Sequence, residues 1–269
     1  MTIRLSASGV RIRGDEYQHL VTWWQALRAV TETSDIIQIG VEDPKAGNAD
    51  DVTVYMKNGR REYYQVKASG DANNPLGMAW LMKPSKAGGP STLQRFYRLW
   101  AGEPNGHKPK IIVVANRLPP NGDVLNKRDG RDCTLVRHLQ SMKPKPNTDH
   151  ILHNLAKHLM ADENKVVQFF HDLQFKLGIS DDWLIEWTRE RMHMAGLHHD
   201  EDAVARGISI ARGWVTGGKR EITTAELRQV VGAPKRGAPA ATPPNFFETK
   251  FRGAGGGGWA GGVWRVFVF

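Results

Sequence analysis

Two short alternating stretches joined by a tight turn constrain the fold of this chain more than any other feature. The stretch DDVTVYM at 50–56 alternates polar and apolar side chains, as does REYYQVKAS at 61–69. Between them, Asn58-Gly59 is a strong signal for a hairpin, because both residues tolerate the positive φ angles that two-residue turns require. The sequence therefore predicts two adjacent antiparallel strands.

The segments on either side of this hairpin extend it into an α/β pattern. Apolar residues at three- and four-residue spacing predict helices over 14–30 and 91–102, and β-rich apolar stretches predict strands at 35–43 and 110–117. The predicted order is helix, strand, strand, strand, helix, strand. A sheet flanked by helices is the fold class that this order favours.

The second half of the chain has helical periodicity. Asp181, Asp200 and Thr223 are suitable N-caps, and Gly196 and Gly217 are suitable helix stops. An all-helical extension is expected here, and the last residues are rich in Pro and Gly. The predicted division is an α/β core over 1–145, a helical subdomain over 146–232, and a linker or disordered tail over 233–269.

The charge of the chain favours an anionic partner. Lys and Arg total 37 against 28 Asp and Glu, which gives a net charge of +9. Residues 107–146 carry nine Lys and Arg against three Asp, so +6 of this charge lies there. Nucleic acid is the partner that such a stretch suggests, and Lys127, Arg128 and Arg131 are its candidate phosphate contacts.

Cysteine usage and hydropathy predict where the protein works. Cys133 is the single cysteine, which excludes an intramolecular disulfide and a multi-cysteine zinc site. The N-terminus lacks the apolar segment of a signal peptide, and no apolar stretch reaches the ~18 residues that a membrane span needs. A cytoplasmic protein without membrane contact is expected.

The hairpin also carries the candidate chemistry. Strand periodicity places Asp51 on the face opposite to its apolar neighbours, and Gln65 and Lys67 on one common face. Pairing would bring a carboxylate, an amide oxygen and an ammonium together, with the Val66 carbonyl as a further oxygen ligand. These groups suit Mg²⁺, with Mn²⁺ as a substitute, and hydrolysis of a phosphodiester. Asp50 is an alternative to Asp51, because sequence does not fix strand register to one residue.

These residues resemble a known family. The string from Asp51 through Gln65-Val66-Lys67, after Gly14 to Gln18 on the first helix, is similar to the Mrr-like branch of the PD-(D/E)XK restriction-endonuclease superfamily. It is most similar to the double-stranded-DNA endonuclease domains of bacterial anti-phage effectors, some activated by cyclic oligonucleotides and others fused to STAND-type NTPases. The resemblance covers roughly residues 8 to 232. It implies a mixed-sheet nuclease core and Mg²⁺-dependent cleavage of double-stranded DNA.

The resemblance also suggests roles for further residues. Gln65 replaces an acidic ligand, so Glu42 or Glu16 would complete the metal site, and Tyr17 and Gln18 would belong to a helix motif. A sensor on another chain or on a missing C-terminal part, and assembly of several copies on activation, are the partners expected beside DNA.

Other interpretations of the same residues stay open. A Gln-x-Lys pair on a strand is by itself mostly a pair of solvent-exposed side chains without a function. Tyr17 and Gln18 could pack and cap the helix. His198-His199-Asp200 is better explained as a helix cap with solvated neighbours than as a metal cluster. The alternative functions are a catalytically inactive nucleic-acid-binding module and a protein-interaction domain.

Overall fold

The computed structural model describes residues 7–31, 34–42, 51–70, 74–85, 88–103, 106–126 and 149–231. Five of the residues named above lie outside this part of the chain, and nothing is concluded about their positions: Asp50, Lys127, Arg128, Arg131 and Cys133. The tail over 233–269 also lies outside it. Among the described helices, none has the length and apolar character that a bilayer-spanning segment needs.

The first part of the chain follows the predicted order. Helix α1 (Ala7–Val30) precedes strands β1 (Ile36–Val41), β2 (Val52–Met56) and β3 (Arg61–Lys67), then a short helix α2 (Met78–Met82), helix α3 (Thr92–Gly102) and strand β4 (Lys110–Ala115). The hairpin forms at the predicted turn: Tyr55 pairs with Arg61, and Gly59 has a φ of 80°. Residues with a Cβ atom rarely adopt that angle, which is why glycine suits this position.

The second part contains two strands as well as five helices. After α4 (Asp149–Leu159) and α5 (Glu163–Asp172) comes strand β5 (Leu173–Leu177), followed by α6 (Asp181–Met194) and α7 (Glu201–Thr216), strand β6 (Glu221–Thr223) and α8 (Thr224–Val231). The prediction of an all-helical extension is therefore wrong. A short apolar stretch such as the one after α5 fits a helix and a strand equally well, and β6 has only three residues, so periodicity does not reveal either.

These two strands complete the sheet at its opposite edges. The order is β5-β4-β3-β2-β1-β6, with β3, β4 and β5 parallel and the other neighbours antiparallel. The sheet is mixed, as expected, but the predicted boundary at 145 separates strands that belong to one sheet. Every residue of β4 except the first is buried, because helices cover both of its faces.

The two faces of the sheet carry separate cores. On one, here called the α1 face, the strands contribute Val52, Val54, Tyr64 and Val66, which pack with residues of α1, α6, α7 and α8. On the other, the α3 face, Tyr63 and the alternate residues of β4 and β5 pack with residues of α2, α3, α4 and α5. Residues two apart on β3 share a face, so Gln65 and Lys67 lie on the same side as Tyr63.

Helix α1 contacts the second part of the chain through one close approach and one buried hydrogen bond. Trp23 is 2% exposed and lies against Gly207 of α7, where a Cβ atom would be within 2.6 Å of three indole atoms. The Tyr17 hydroxyl donates to the carbonyl of Ile179, just beyond β5, at 2.9 Å. The extension thus packs on the first helix as well as on the sheet.

Candidate functional site

The Asp51 carboxylate is held at the start of β2 by the neighbouring strand. The Asp51 amide donates to the Tyr64 carbonyl at 2.8 Å, which continues the hairpin ladder by one residue. Its Oδ2 accepts a hydrogen bond from the Gln65 side-chain amide and one from the Val66 backbone N–H at 2.6 Å. The structure therefore brings Asp51 beside Gln65 and Val66, within the region that the hairpin was expected to place opposite Asp51.

Gln65 and Val66 offer further oxygen atoms at this place. Gln65 is 3% exposed, and its amide nitrogen faces Asp51. Rotating the Gln65 side-chain amide by 180° would exchange its nitrogen and oxygen, so that the oxygen would face Asp51. In a strand, the N–H and C=O of one residue point toward the same adjacent strand. The Val66 N–H donates to Asp51, so the Val66 carbonyl also points toward the side of the strand where Asp51 lies.

Lys67 ends β3 on the same face as Gln65 and is electrostatically coupled to Asp51. Burial raises the pKa of the Asp51 carboxyl, and the Lys67 ammonium and the two hydrogen bonds oppose that rise. Burial lowers the pKa of Lys67, which the Asp51 carboxylate opposes and the guanidinium groups of Arg95 and Arg117 reinforce. An ammonium with a lowered pKa releases a proton more readily than an exposed lysine.

Sequence reasoning did not identify Arg95 and Arg117 as part of this site. Arg95 lies in the first turn of α3 and donates to the Thr92 hydroxyl at 3.1 Å, while Arg117 follows β4 and is 8% exposed. The Nε atom of each is buried and has no hydrogen-bond partner among the described residues. Burial lowers the pKa of Arg117. Because both guanidinium groups also lower the pKa of Lys67, positive charge exceeds negative charge around Asp51 and Lys67.

The ends of β3 and β4 are tied together beside these cations. The Ser69 amide donates to the Asn116 side-chain oxygen at 3.0 Å, and the Asn116 side-chain nitrogen donates to the Ser69 carbonyl at 2.9 Å. In the parallel register Lys67 lies opposite Ala115. The carboxyl ends of parallel strands meet at one edge of a sheet, and this is the signal that would have placed Arg117 near Lys67.

The two extra acidic residues implied by the resemblance are placed differently. Glu42 follows β1 in a left-handed conformation with φ 49°; its amide donates to the Asp51 carbonyl at 3.2 Å, and its side chain is exposed. Glu16 is exposed on α1 and forms an ion pair with Arg212 of α7 at 3.4 Å. The structure brings the backbone of Glu42 to Asp51 and does not bring Glu16 there.

The helix-motif residues take structural positions. Tyr17 is 2% exposed, and burial raises its pKa, so its hydroxyl stays protonated and bonded to Ile179. Gln18 is half-buried, and its backbone carbonyl accepts a hydrogen bond from the Thr22 hydroxyl at 2.9 Å. Asp200 caps α7 through the Ala203 amide, as the capping interpretation of His198-His199-Asp200 predicts.

The donor set fits one hard divalent cation. In the described part of the chain there is no group of three or more His, Cys, Asp and Glu side chains that could hold a metal ion. The Asp51 carboxylate, the Gln65 amide and the Val66 carbonyl are all oxygen donors, which Mg²⁺ prefers, and Mg²⁺ usually keeps several waters beside one or two carboxylates. A second carboxylate is thus not required for such a site.

Comparisons with known proteins give a distant likeness. No protein-family model matches the chain, and no curated protein matches it. Two solved structures of the Acinetobacter baumannii Cap4 SAVED/CARF-domain containing receptor are similar to it, one with the cyclic trinucleotide 3'3'3'-cAAA (TM-score 0.46) and one with 2'3'3'-cAAA (TM-score 0.43). Each is 11% identical and covers 85% of this chain, and the chain spans 45% of each receptor. At these scores the likeness assigns neither a family nor a ligand.

Proposed function

We propose that this protein is a Mg²⁺-dependent endonuclease that hydrolyses phosphodiester bonds in double-stranded DNA. The observation that carries the proposal is the meeting of Asp51, Gln65 and Lys67 at the ends of two neighbouring strands. A role as effector of a bacterial anti-phage system is part of the proposal and rests on the sequence resemblance alone.

Each group at the site has a chemical task in this proposal. Asp51, Gln65 and the Val66 carbonyl would hold the cation, which when bound polarises the phosphate and lowers the pKa of the attacking water. Lys67 is positioned to accept or donate a proton near that water, or to stabilise the charge that develops on the phosphate. Arg95 and Arg117 would hold the phosphate oxygens, since guanidinium groups match their geometry.

Incubation of supercoiled plasmid with the protein, with Mg²⁺ and with EDTA, tests the proposal. Nicked and linear products in Mg²⁺ alone are expected. One observation favours the inactive nucleic-acid-binding alternative: the Gln65 side-chain nitrogen donates a hydrogen bond to the Asp51 carboxylate, and Gln65 brings no charge for a cation. Plasmid that is bound but stays supercoiled in both Mg²⁺ and Mn²⁺ would establish that alternative and overturn the nuclease proposal.

Gln65 is expected to bind the metal through its side-chain oxygen, which requires no negative charge at this position. Gln65→Ala should lower cleavage by roughly 10–100-fold, as loss of a metal-supporting group does. Gln65→Glu should keep activity or shift its preference between Mg²⁺ and Mn²⁺, because a carboxylate replaces one oxygen donor with another. The measurement is the initial cleavage rate against metal concentration, with Gln38→Ala on β1 as the control. Unchanged metal dependence in Gln65→Ala would make Gln65 a structural residue.

Arg117 is expected to contribute to DNA binding rather than to folding. Arg117→Met removes one phosphate contact, so the slope of log affinity against log salt should become shallower by about 1. The methionine keeps the apolar part of the side chain and removes a buried cation, so thermal stability should not fall. Salt-dependent binding of a DNA duplex in EDTA measures the first effect, with Arg98→Met, an exposed residue of α3, as the control. An unchanged slope together with lower stability would assign Arg117 a structural role.

A further inference from the structure

Cations also gather on the α1 face, on the side of the sheet opposite Asp51. Arg28 comes from α1, Arg191 from α6 and Lys176 from β5. Lys176 pairs with Val114, which pairs with Val66, so it lies on the α1 face. Because three separate elements supply these cations, the fold itself brings the positive charges together.

Two of these cations share one aromatic ring. The Arg191 Cζ lies 4.1 Å and the Lys176 Nζ 5.5 Å from the centre of a ring of Trp24. Both distances are within the range of attractive cation–π contacts. The Trp24 indole nitrogen is buried and has no hydrogen-bond partner among the described residues.

The nearby carboxylate is already bound to the third cation. Arg28 Nη1 donates to Glu62 Oε2 at 2.6 Å and to the Tyr64 hydroxyl at 2.9 Å, and that hydroxyl donates to Glu62 Oε2 at 2.9 Å. In the part of the chain that the structure describes, Lys176 and Arg191 form no ion pair with a carboxylate.

The pKa values agree with this charge imbalance. The pKa of Arg191 is lowered to about 10, first by burial and then by Arg28, against the opposing charges of Tyr64 and Glu190. The pKa of Lys176 is lowered first by burial, then by Arg28, Arg191 and Lys110, against the opposing charge of Glu62. Desolvated cations without a counter-ion are unfavourable, and a bound anion would relieve that cost.

A series of indole rings leads from these cations to the surface. The Trp24 ring is 6.5 Å from that of Trp187, which is 6.3 Å from that of Trp183. Trp183 is 58% exposed, which is unusual for a residue of its size. Proteins bind single strands with aromatic rings on which bases stack and with cations that contact the phosphates.

We propose that this cation–indole site, formed by Trp24, Trp183, Trp187, Lys176 and Arg191, binds a single-stranded segment of nucleic acid. Its phosphates would lie at Lys176 and Arg191, and a base would stack on Trp183. A single nucleotide is too short to use both ends of the site, because the exposed ring and the cations are separated by two further indoles. The site lies on the opposite sheet face from Asp51 and does not depend on cleavage.

Fluorescence polarisation of a labelled twelve-nucleotide oligo-dT in EDTA tests this site without cleavage. Trp183→Ala should weaken binding by about ten-fold, in the range of one lost base stack. Trp183→Phe, which keeps a ring, should restore most of the affinity. Met194→Ala, an equally exposed apolar residue at the end of the same helix, is the matched control and should have no effect.

The charged end of the site has its own variant. Lys176→Met keeps the apolar stem and should weaken binding several-fold while making its salt dependence shallower by about 1. Arg206→Met, an exposed residue of α7, is the control. Thermal melting of every variant shows whether it is folded, and Trp183 is exposed enough that its replacement is expected to fold.

Three results would overturn the proposal. Unchanged oligo-dT affinity in both Trp183→Ala and Lys176→Met would exclude this site. Full competition by dTMP at the same nucleotide concentration would show that it takes a free nucleotide and not a strand. An equal effect of Trp183→Ala on a DNA duplex would show that it does not select single strands. Oligo-dT binding is measured in EDTA, where no cleavage occurs, so failure of the nuclease proposal and failure of this one are separable.

Discussion

Replacing Asp51 by Asn is expected to lower Mg²⁺-dependent DNA cleavage by about three orders of magnitude and to leave the protein folded. Metal stabilisation of a phosphoryl transition state contributes several kcal/mol, and Asn supplies no charge to hold the cation. The Asn side chain keeps the shape of Asp and an oxygen that can accept the Val66 N–H, so the hairpin should persist. The rate of plasmid nicking in Mg²⁺ is the primary measurement.

Metal binding gives an independent measurement for the same variant. Mg²⁺ at 100 times its dissociation constant should stabilise the wild-type protein by about 2.7 kcal/mol, and this stabilisation should disappear in Asp51→Asn. Glu16→Gln is the matched control, because Glu16 is exposed and pairs with Arg212 away from Asp51. If Asp51→Asn keeps its nicking rate or its Mg²⁺-induced rise in Tm, Asp51 is not the metal ligand.

The same substitution should change how stability depends on pH. Because burial raises the Asp51 pKa, the folded protein holds this proton to a higher pH than the unfolded chain does. Between the ordinary value of 3.8 and the raised value, the folded state binds more protons, so this group makes the free energy of unfolding fall as pH rises. That contribution should be missing from the Tm of Asp51→Asn measured from pH 3.5 to 7.

Glu62→Ala should have the largest effect on stability, a loss of about 3–5 kcal/mol. Glu62 is 8% exposed and is the carboxylate bound to Arg28, so its removal leaves a buried positive charge without a counter-charge. Urea unfolding monitored by tryptophan fluorescence gives the free energy of unfolding. Glu163→Ala, whose carboxylate is exposed and 3.6 Å from His153, should cost less than about 1 kcal/mol.

A double variant separates charge from packing in this network. If charge repulsion dominates, adding Lys176→Met to Glu62→Ala should recover part of the lost stability, because one uncompensated cation is removed. Strictly additive losses would show that Glu62 matters through its packing and hydrogen bonds alone. A loss in Glu62→Ala no larger than that in Glu163→Ala would contradict the charge argument entirely.

The parts of the fold that the sequence predicts correctly are those set by local geometry. Asn58-Gly59 fixes the hairpin, and the hairpin register then places Asp51 beside Gln65. Arg95 and Arg117 were missed because their positions depend on how α3 and β4 pack against β3. The parallel pairing of β3 and β4 places Arg117 near Lys67, but no local sequence pattern predicts that pairing. The site therefore has one half that the sequence predicts and a second half that only tertiary packing creates.

The placement of β6 has a consequence for how the chain folds during synthesis. β1 pairs with β6 through Gln38 and Thr223, so one edge of the sheet stays open on the ribosome until almost all of the described chain has emerged. In the same way, the outer edge of β4 stays unpaired until β5 has emerged. Unpaired edges attract other strands, and contacts of such long sequence separation form slowly. The sheet should therefore be completed only after Thr223 has emerged, and nascent chains should need protection from mutual association until then.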